Sequence, residues 1–413
     1  MSSHDAEVRR RDAADPLAPA RARFRIPDGR IYLDGNSLGA LPAEAGARMT
    51  AAIEREWGDG LVASWNDAGW YELPLALGDR VGGLVGAAAG QVAVCDTTTL
   101  NLFKALHAAL GLRPERRVVV MEEADFPANL YIAEGVLGSA GRPLERRLVP
   151  RGEDPAGALD ETVAVLALSH VNYRGGARHD LEALTRAAHQ AGALAVWDLC
   201  HSAGALPVEL DAAGADFAVG CTYKYLNGGP GAPAWIYAAR RHLADARQPL
   251  TGWMGHGAPF EFEPGYRPDP GIRRFLCGTP HILSMRAAEA GLATFEGVSM
   301  REVEAKAASL TSLFIERVED LAGADAPPLV SPRAPERRGA QVSFAHDDGY
   351  AVVQAMIRRG VVGDFRAPDV MRFGFAPLYL THSDAARAAE VLVECLDPAV
   401  WRDPRHARHA TVT

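Results

Sequence analysis

Short, continuously apolar runs alternate with helical patterns along much of the chain. Four such runs predict buried strands, at 117–122, 162–169, 193–198 and 216–220. Residues 180–193 predict an amphipathic helix, because apolar residues recur at helical spacing between the capping residue Asp180 and the stop at Gly192. Apolar strands that alternate with helices indicate an α/β fold with a mainly parallel sheet, covered by helices on both faces.

The pattern changes at about residue 284, where nearly forty residues, to 322, have helical spacing. Mixed elements follow, with strands predicted at 341–346 and 370–377 and helices at 348–359 and 383–396. A chain of 413 residues exceeds one ordinary core. We therefore predict a flexible N-terminus at 1–25, a large domain at 26–290 and a smaller C-terminal α/β domain at 291–413.

Composition narrows the class of protein. Apolar residues make up 48% and charged residues 23%, and the net charge is −9, which disfavours nucleic acid or an anionic membrane as the main partner. The five cysteines form no CxxC pair, so neither a disulfide scaffold nor a metal site is expected. The first 25 residues lack the apolar core of a secretory signal, and no run is long enough to span a bilayer. We expect a cytoplasmic soluble protein.

Polar and aromatic side chains stand directly after the predicted strands, where open parallel sheets bind ligands. These residues are Thr98, Thr99, Phe126, Asn129, Ser169, Asp198, His201, Tyr223 and Lys224. Each alone has a common structural explanation, since threonines cap helices, aspartates make turns and lysines are usually solvated. The set as a whole needs a different explanation.

The set matches the needs of one cofactor. Hydroxyls at a helix N-terminus suit a phosphate, and a carboxylate suits a protonated ring nitrogen. An aromatic side chain stacks on a flat ring, and a desolvated lysine can form a Schiff base. The sequence therefore predicts a site for pyridoxal 5′-phosphate (PLP).

Several longer stretches carry a family resemblance, among them "YLDGNSLG" (32–39), "TTTLNLFKAL" (97–106), "DFPAN" (125–129), "WDLCHSAGALP" (197–207), "CTYKYLNGGPG" (221–231), "FLCGTP" (275–280) and "MRFGFAPLY" (371–379). In these the chain resembles the kynureninases, PLP enzymes of fold type I in the aminotransferase class V group. The resemblance spans nearly all of the chain after residue 25. It implies a seven-stranded, mainly parallel sheet sandwiched by helices, a smaller C-terminal α/β domain and a homodimer with a shared active site.

The resemblance also implies roles for single residues. Lys224 would be the Schiff-base lysine and proton carrier, and Asp198 would pair with the pyridinium nitrogen. Phe126 would stack on the ring, and Arg372 would clamp the substrate carboxylate. The other expected contacts are Thr98, Thr99 and Tyr223 at the phosphate, His201, Ser169 and Asn129 at the polar edge of the ring, Asn36 at the substrate, and Trp253 and Thr279 at the phosphate held by the partner subunit.

The implied reaction is hydrolysis of L-kynurenine to anthranilate and L-alanine, a step of tryptophan catabolism. Tyr223 is the candidate general acid/base, with a role as phosphate anchor only as the alternative. Trp65, Gly278 and Thr279 match the family pattern that favours unsubstituted kynurenine over 3-hydroxykynurenine, although Trp65 could also be a core aromatic. Asn129 departs from the aspartate that usually ends the family's FPxD pattern. Because of this departure, an alternative remains: the enzyme could serve a specialised-metabolite pathway and act on a substituted kynurenine.

Three rival classes make different predictions. A cysteine desulfurase or selenocysteine lyase usually has a histidine before the lysine, whereas Tyr223 precedes Lys224 here. A non-catalytic protein with the PLP-enzyme fold would need no lysine, acid and carboxylate clamp, yet the chain has all three. A nicotinamide-dependent dehydrogenase needs a G-x-G-x-x-G motif after an early strand, which this sequence lacks.

Overall fold

The computed structural model describes residues 3–406. Its strands are β1 (Phe24–Arg25), β2 (Ile31–Tyr32), β3 (Leu41–Pro42), β4 (Val92–Val94), β5 (Val118–Glu122), β6 (Glu145–Val149), β7 (Val163–Ser169), β8 (Leu194–Asp198), β9 (Phe217–Gly220), β10 (Trp235–Ala238), β11 (Gln341–Ala345), β12 (Val361–Val362), β13 (Asp364–Arg366) and β14 (Val370–Gly374). Its helices are α1 (Ser3–Ala13), α2 (Ala45–Ala51), α3 (Ser64–Asp67), α4 (Leu73–Leu84), α5 (Thr98–Gly111), α6 (Pro127–Ser139), α7 (Leu181–Gln190), α8 (Arg240–Leu243), α9 (Ile282–Ala293), α10 (Met300–Ala322), α11 (Gly349–Arg358), α12 (His382–Cys395) and α13 (Pro398–Trp401).

A seven-stranded sheet organises the first two thirds of the chain, in the order β4-β10-β9-β8-β7-β5-β6. Only β10 runs against its neighbours, and the other pairings in the sheet are parallel. The four strands predicted from apolar runs are β5, β7, β8 and β9, and all four lie in this sheet. The predicted α/β class, with a mainly parallel seven-stranded sheet, is confirmed.

Both faces of the sheet are covered, as continuously apolar strands require. Along β8, Ala195 and Trp197 pack into one apolar cluster, whereas Leu194 and Val196 pack into the cluster on the opposite face. Successive side chains of a strand point to opposite faces, so both sets must leave water. On β8 the polar side chain accordingly stands at the end, where Asp198 closes the strand.

The C-terminal part forms a separate antiparallel sheet in the order β11-β14-β13. Phe314 of α10 packs against it, with ring centroids 5.2 Å from Phe373 and from Phe375. The long helical stretch predicted at 284–322 is two helices, α9 and α10, because the chain turns between them at Gly297, whose φ is +72°. The boundary between the large and the small domain, at 290/291, stays a prediction.

The N-terminal segment differs from the frayed chain expected at 1–25. Residues Ser3–Ala13 form α1, and the segment is held by the C-terminal part of the chain. Asp12 accepts a hydrogen bond from the backbone N–H of His382 at 2.6 Å. Asp15 forms a buried ion pair with Lys306, also at 2.6 Å. Composition alone could not reveal these tertiary partners.

Over residues 3–406, no helix is both long and apolar enough to cross a membrane.

Candidate active site

The carboxyl ends of β5, β7, β8 and β9 bring together most of the residues predicted from strand ends. We call Asp125, Asn129, Ser169, Asp198, His201 and Lys224 the strand-end cluster. Asp198 is buried and uses both carboxylate oxygens, since Oδ1 accepts from the backbone N–H of Cys200 and Oδ2 accepts from Nδ2 of Asn129, each at 2.8 Å. The cluster therefore fixes the orientation of a buried carboxylate.

Lys224 differs from the other lysines of the chain. The sequence has three lysines, Lys104, Lys224 and Lys306. Lys104 pairs with Asp96, and Lys306 pairs with Asp15. Among the described residues Lys224 has no carboxylate partner, and its Nζ lies 2.9 Å from Nε2 of His201 instead. Lys224 is thus the lysine whose amino group is free of a permanent ion pair.

His201 is held neutral next to that amine. Burial, and then the charges of Lys224, Arg372 and Arg366, keep the pKa of His201 well below its usual value. Where Nζ of Lys224 donates this hydrogen bond, Nε2 of His201 accepts it and Nδ1 carries the ring proton. Nδ1 is buried and has no partner among the described residues. The side chain of Gln341 also acts on this ring, and Nδ1 is available as a donor to a ligand that carries an acceptor.

Helix α5 begins at the same edge of the sheet. Thr97 caps it, because the Thr97 hydroxyl accepts from the backbone N–H of Leu100 at 3.3 Å. Thr98 is half-buried with its hydroxyl 3.7 Å from Sγ of Cys200, and Thr99 is exposed. Helix capping, the common structural role of threonines at such positions, is thus performed by Thr97. Thr98 and Thr99 remain at a helix N-terminus, where free N–H groups favour an anion.

Phe126 lies directly before α6 and is 43% exposed. Its ring meets the ring of Tyr173 edge to face at 5.1 Å, and its exposure leaves ring surface available for stacking. Its backbone N–H donates to Oδ1 of Asp125 at 2.6 Å.

Asp125 is not among the residues predicted for the site. Its Oδ1 accepts from the Ser169 hydroxyl at 2.6 Å and from Nδ2 of Asn129 at 3.3 Å. Burial raises the pKa of Asp125 to about 7 despite these hydrogen bonds. The Ser169 hydroxyl thus donates to a second carboxyl group, and its predicted contact with a cofactor would be as an acceptor. The available signal was an acid three residues beyond a predicted strand, in "DFPAN".

Tyr223 is half-buried beside the amine. Nζ of Lys224 lies 5.9 Å from the centroid of the Tyr223 ring. Burial, and then neighbouring negative charges, raise the pKa of Tyr223, so its hydroxyl keeps its proton at neutral pH. The Tyr223 carbonyl accepts from the backbone N–H of Gly39 at 2.7 Å. Gly39 has to be glycine, because a Cβ there would lie 2.4 Å from the Lys224 carbonyl oxygen.

The loop that contains Gly39 joins this region to the predicted carboxylate clamp. Arg372 of β14 is buried and donates to Asp364, to the Ser37 hydroxyl and to the Tyr173 carbonyl. Arg366 shares Asp364 and Ser37 with it. We call Ser37, Asp364, Arg366 and Arg372 the arginine cluster. Three of its members were missed, because they meet only through the β13–β14 pairing and the loop from residue 34 to 39.

Asn36 lies in the same loop and is fully buried, with both polar side-chain atoms unpartnered among the described residues. It packs against Gly374, where a Cβ would come within 2.0 Å of Oδ1 of Asn36.

The remaining predicted residues lie apart from the strand-end cluster in the contacts recorded for residues 3–406. Trp65 packs edge to face on Trp70 at 5.9 Å, and Trp253, 41% exposed, packs on Phe260 at 5.9 Å. Gly278 and Thr279 line a cavity of about 220 Å³ together with Asp96, Cys277 and His281.

The fold defines the class first. A solved structure of a C-DES variant, with glycine covalently linked to its PLP cofactor, superposes with a TM-score of 0.77 at 18% identity, over 91% of this chain and 99% of that one. The chain thus has the fold of the fold-type-I PLP enzymes.

Sequence relatives are more specific. Residues 303–392 match the kynureninase C-terminal domain family. The chain is 51% identical to a kynureninase of Burkholderia pseudomallei (strain 1106a), over 97% of this chain and 98% of the relative. It is 50% identical to a kynureninase of Pseudomonas fluorescens over the same shares. The chain belongs to the kynureninase family.

Proposed function

We propose that this chain hydrolyses L-kynurenine to anthranilate and L-alanine with PLP as its cofactor. Family membership over 97% of the chain supports this activity. The observation that carries the proposal is the unpaired amine of Lys224, 2.9 Å from neutral His201, in one cluster with the buried carboxylate of Asp198. When bound, PLP supplies an electron sink conjugated with the amino group of the substrate.

The side chains present fit that cofactor. The buried Nδ1 of His201 and the partly exposed ring of Phe126 suit a ring with a polar edge. Asp198 is held as an acceptor for a pyridinium nitrogen. Thr98 and Thr99 would hold the phosphate at the start of α5. Lys224 would attach the cofactor through its amino group.

Two side chains would then move protons. Lys224 takes the proton from Cα of the substrate, since it is the amine free of an acid partner. Tyr223 keeps its phenolic proton at neutral pH, so it can donate to the γ-carbonyl oxygen while water adds to that carbon. A phosphate contact of Tyr223 is compatible with this role.

We further propose a homodimer and a preference for unsubstituted kynurenine. Trp253 is exposed, and Thr279 and Gly278 line a cavity that contains no member of the strand-end cluster. This placement is consistent with Trp253 and Thr279 serving the partner's site, and with Trp65, Gly278 and Asn36 contacting the substrate.

The test is a turnover assay on purified protein supplied with PLP. L-kynurenine should yield anthranilate, followed by its fluorescence, with a larger kcat/KM than 3-hydroxykynurenine. Lys224→Arg keeps the positive charge but should abolish turnover. Wild-type protein that binds PLP yet forms no anthranilate would contradict the activity. Preference for the hydroxylated substrate would contradict only the specificity.

A further inference from the structure

Arg372 has little capacity left for a substrate carboxylate. A guanidinium carries five N–H donors. Nε of Arg372 donates to Oδ1 of Asp364 at 2.8 Å, and Nη2 donates to Oδ2 of Asp364 and, at 2.8 Å, to the Ser37 hydroxyl. Nη1 donates to the Tyr173 carbonyl at 2.6 Å. One N–H remains, whereas a two-point clamp needs two.

Arg366 has the donors that Arg372 lacks. Among the described residues only its Nη2 forms hydrogen bonds, to Oδ2 of Asp364 at 2.6 Å and to the Ser37 hydroxyl at 3.2 Å. Its Nε is buried and unpartnered, and its side chain is 39% exposed. Asp364 and Arg366 are two residues apart on β13 and so project from one face, beside Arg372 on β14.

The arginine cluster has a surplus of positive charge. Burial opposes ionisation of Asp364, but Arg372 and Arg366 outweigh it and hold the pKa of Asp364 below its ordinary value. One carboxylate thus faces two guanidinium groups. The nearby Asp34 offsets the surplus only partly near neutral pH, because burial, and then the charge of Asp364, raise its pKa to about 7.

The arginine cluster also borders the strand-end cluster. The carbonyl of Tyr173 accepts from Arg372, and the ring of Tyr173 meets Phe126 at 5.1 Å. The charges of Arg372 and Arg366 both act on buried His201, the partner of Lys224. A ligand that reaches Lys224 is therefore within the field of both arginines.

We propose that Arg366 is a second carboxylate-binding residue, which holds the α-carboxylate of the amino-acid substrate together with the one remaining N–H of Arg372. Asp364 then acts as a positioning residue that keeps the two guanidinium groups side by side. This inference rests on the proposed function, because it takes an amino acid as the substrate.

The test compares KM with kcat in Arg366→Gln. We expect KM for L-kynurenine to rise about 10- to 100-fold, the range for a lost charge-assisted hydrogen bond, with kcat and PLP affinity nearly unchanged. Arg366→Lys keeps the charge next to Asp364 but loses the planar donors, so it should show a smaller rise. Arg301→Gln, on the exposed side of α10, is the matched control and should change nothing.

Kynuramine, which lacks the carboxylate, separates carboxylate binding from other effects. Its inhibition constant should be the same in wild type and Arg366→Gln, and if it does not inhibit either protein the KM result alone decides. An unchanged KM for kynurenine in Arg366→Gln, or an equal weakening of kynuramine, overturns the inference. A wild-type protein without kynurenine turnover overturns the proposed function instead.

Discussion

The strand-end cluster and the arginine cluster adjoin each other but differ in their charge balance. In the strand-end cluster the carboxyl groups of Asp125 and Asp198 both accept from Asn129, and neither forms an ion pair among the described residues. In the arginine cluster two guanidinium groups share the carboxylate of Asp364. Asp198 thus has no cationic partner among the described residues, and the two guanidinium groups have one carboxylate between them. A pyridinium ring linked to an amino acid would supply both a cation and a carboxylate.

Tyr223→Phe, next to the strand-end cluster, is expected to have the largest effect apart from loss of Lys224. Removing the hydroxyl should lower kcat by about 10²- to 10⁴-fold, the range for a lost general acid, with a smaller change in KM. Steady-state kinetics with L-kynurenine measure both constants. A variant that loses PLP affinity but keeps kcat would show that Tyr223 anchors the phosphate and does not move a proton.

Asn129→Asp tests how the strand-end cluster tolerates a third carboxyl group. The change removes the 2.8 Å donor to Asp198 and restores the residue typical of the family. We expect kcat/KM to change by about tenfold at most, the equivalent of one hydrogen bond, with the loss growing as pH rises and the added carboxyl ionises. A change of several orders of magnitude at pH 7 would refute the modest role. KM for L-kynurenine should stay the same, because the arginine cluster, which binds the carboxylate of the substrate, is unchanged.

Asp125→Asn should have the smallest effect on turnover but should change the pH dependence of stability. In the unfolded chain this carboxyl loses its proton near its ordinary pKa of 3.8, whereas in the folded chain burial keeps the proton to about pH 7. The unfolded state therefore binds fewer protons in this window, and wild-type stability falls as pH rises from about 4 to 7.

Asparagine has no proton to lose at this position, so the slope should flatten. Urea unfolding at pH 5 and pH 8 measures the difference. Asp160→Asn is the control, because hydrogen bonds from Thr162 and Arg147 lower the pKa of Asp160 to about 2, below this window. Equal slopes in wild type and Asp125→Asn would mean that Asp125 ionises normally in the fold.

The two regions also differ in what the sequence could predict. Lys224, Asp198 and His201 follow apolar runs. Such runs predict buried strands, and the carboxyl ends of parallel strands meet at one edge of the sheet. Asp364 and Arg366 have no such local signal. They join Arg372 only because β13 pairs with β14 and the loop from residue 34 to 39 closes over them. The helix α1 was missed for the same reason, since the ion pair of Asp15 with Lys306 spans almost three hundred residues.

The central claim is that Lys224 is the lysine kept free for the cofactor. Borohydride reduction of the PLP-loaded protein, followed by peptide mass mapping, tests it most directly because the chain has only three lysines. We predict a reduced pyridoxyl group on Lys224 alone, and none on Lys104 or Lys306, whose amines are held by Asp96 and Asp15. Labelling of Lys104 or Lys306, or no labelling of a protein saturated with PLP, would contradict the account.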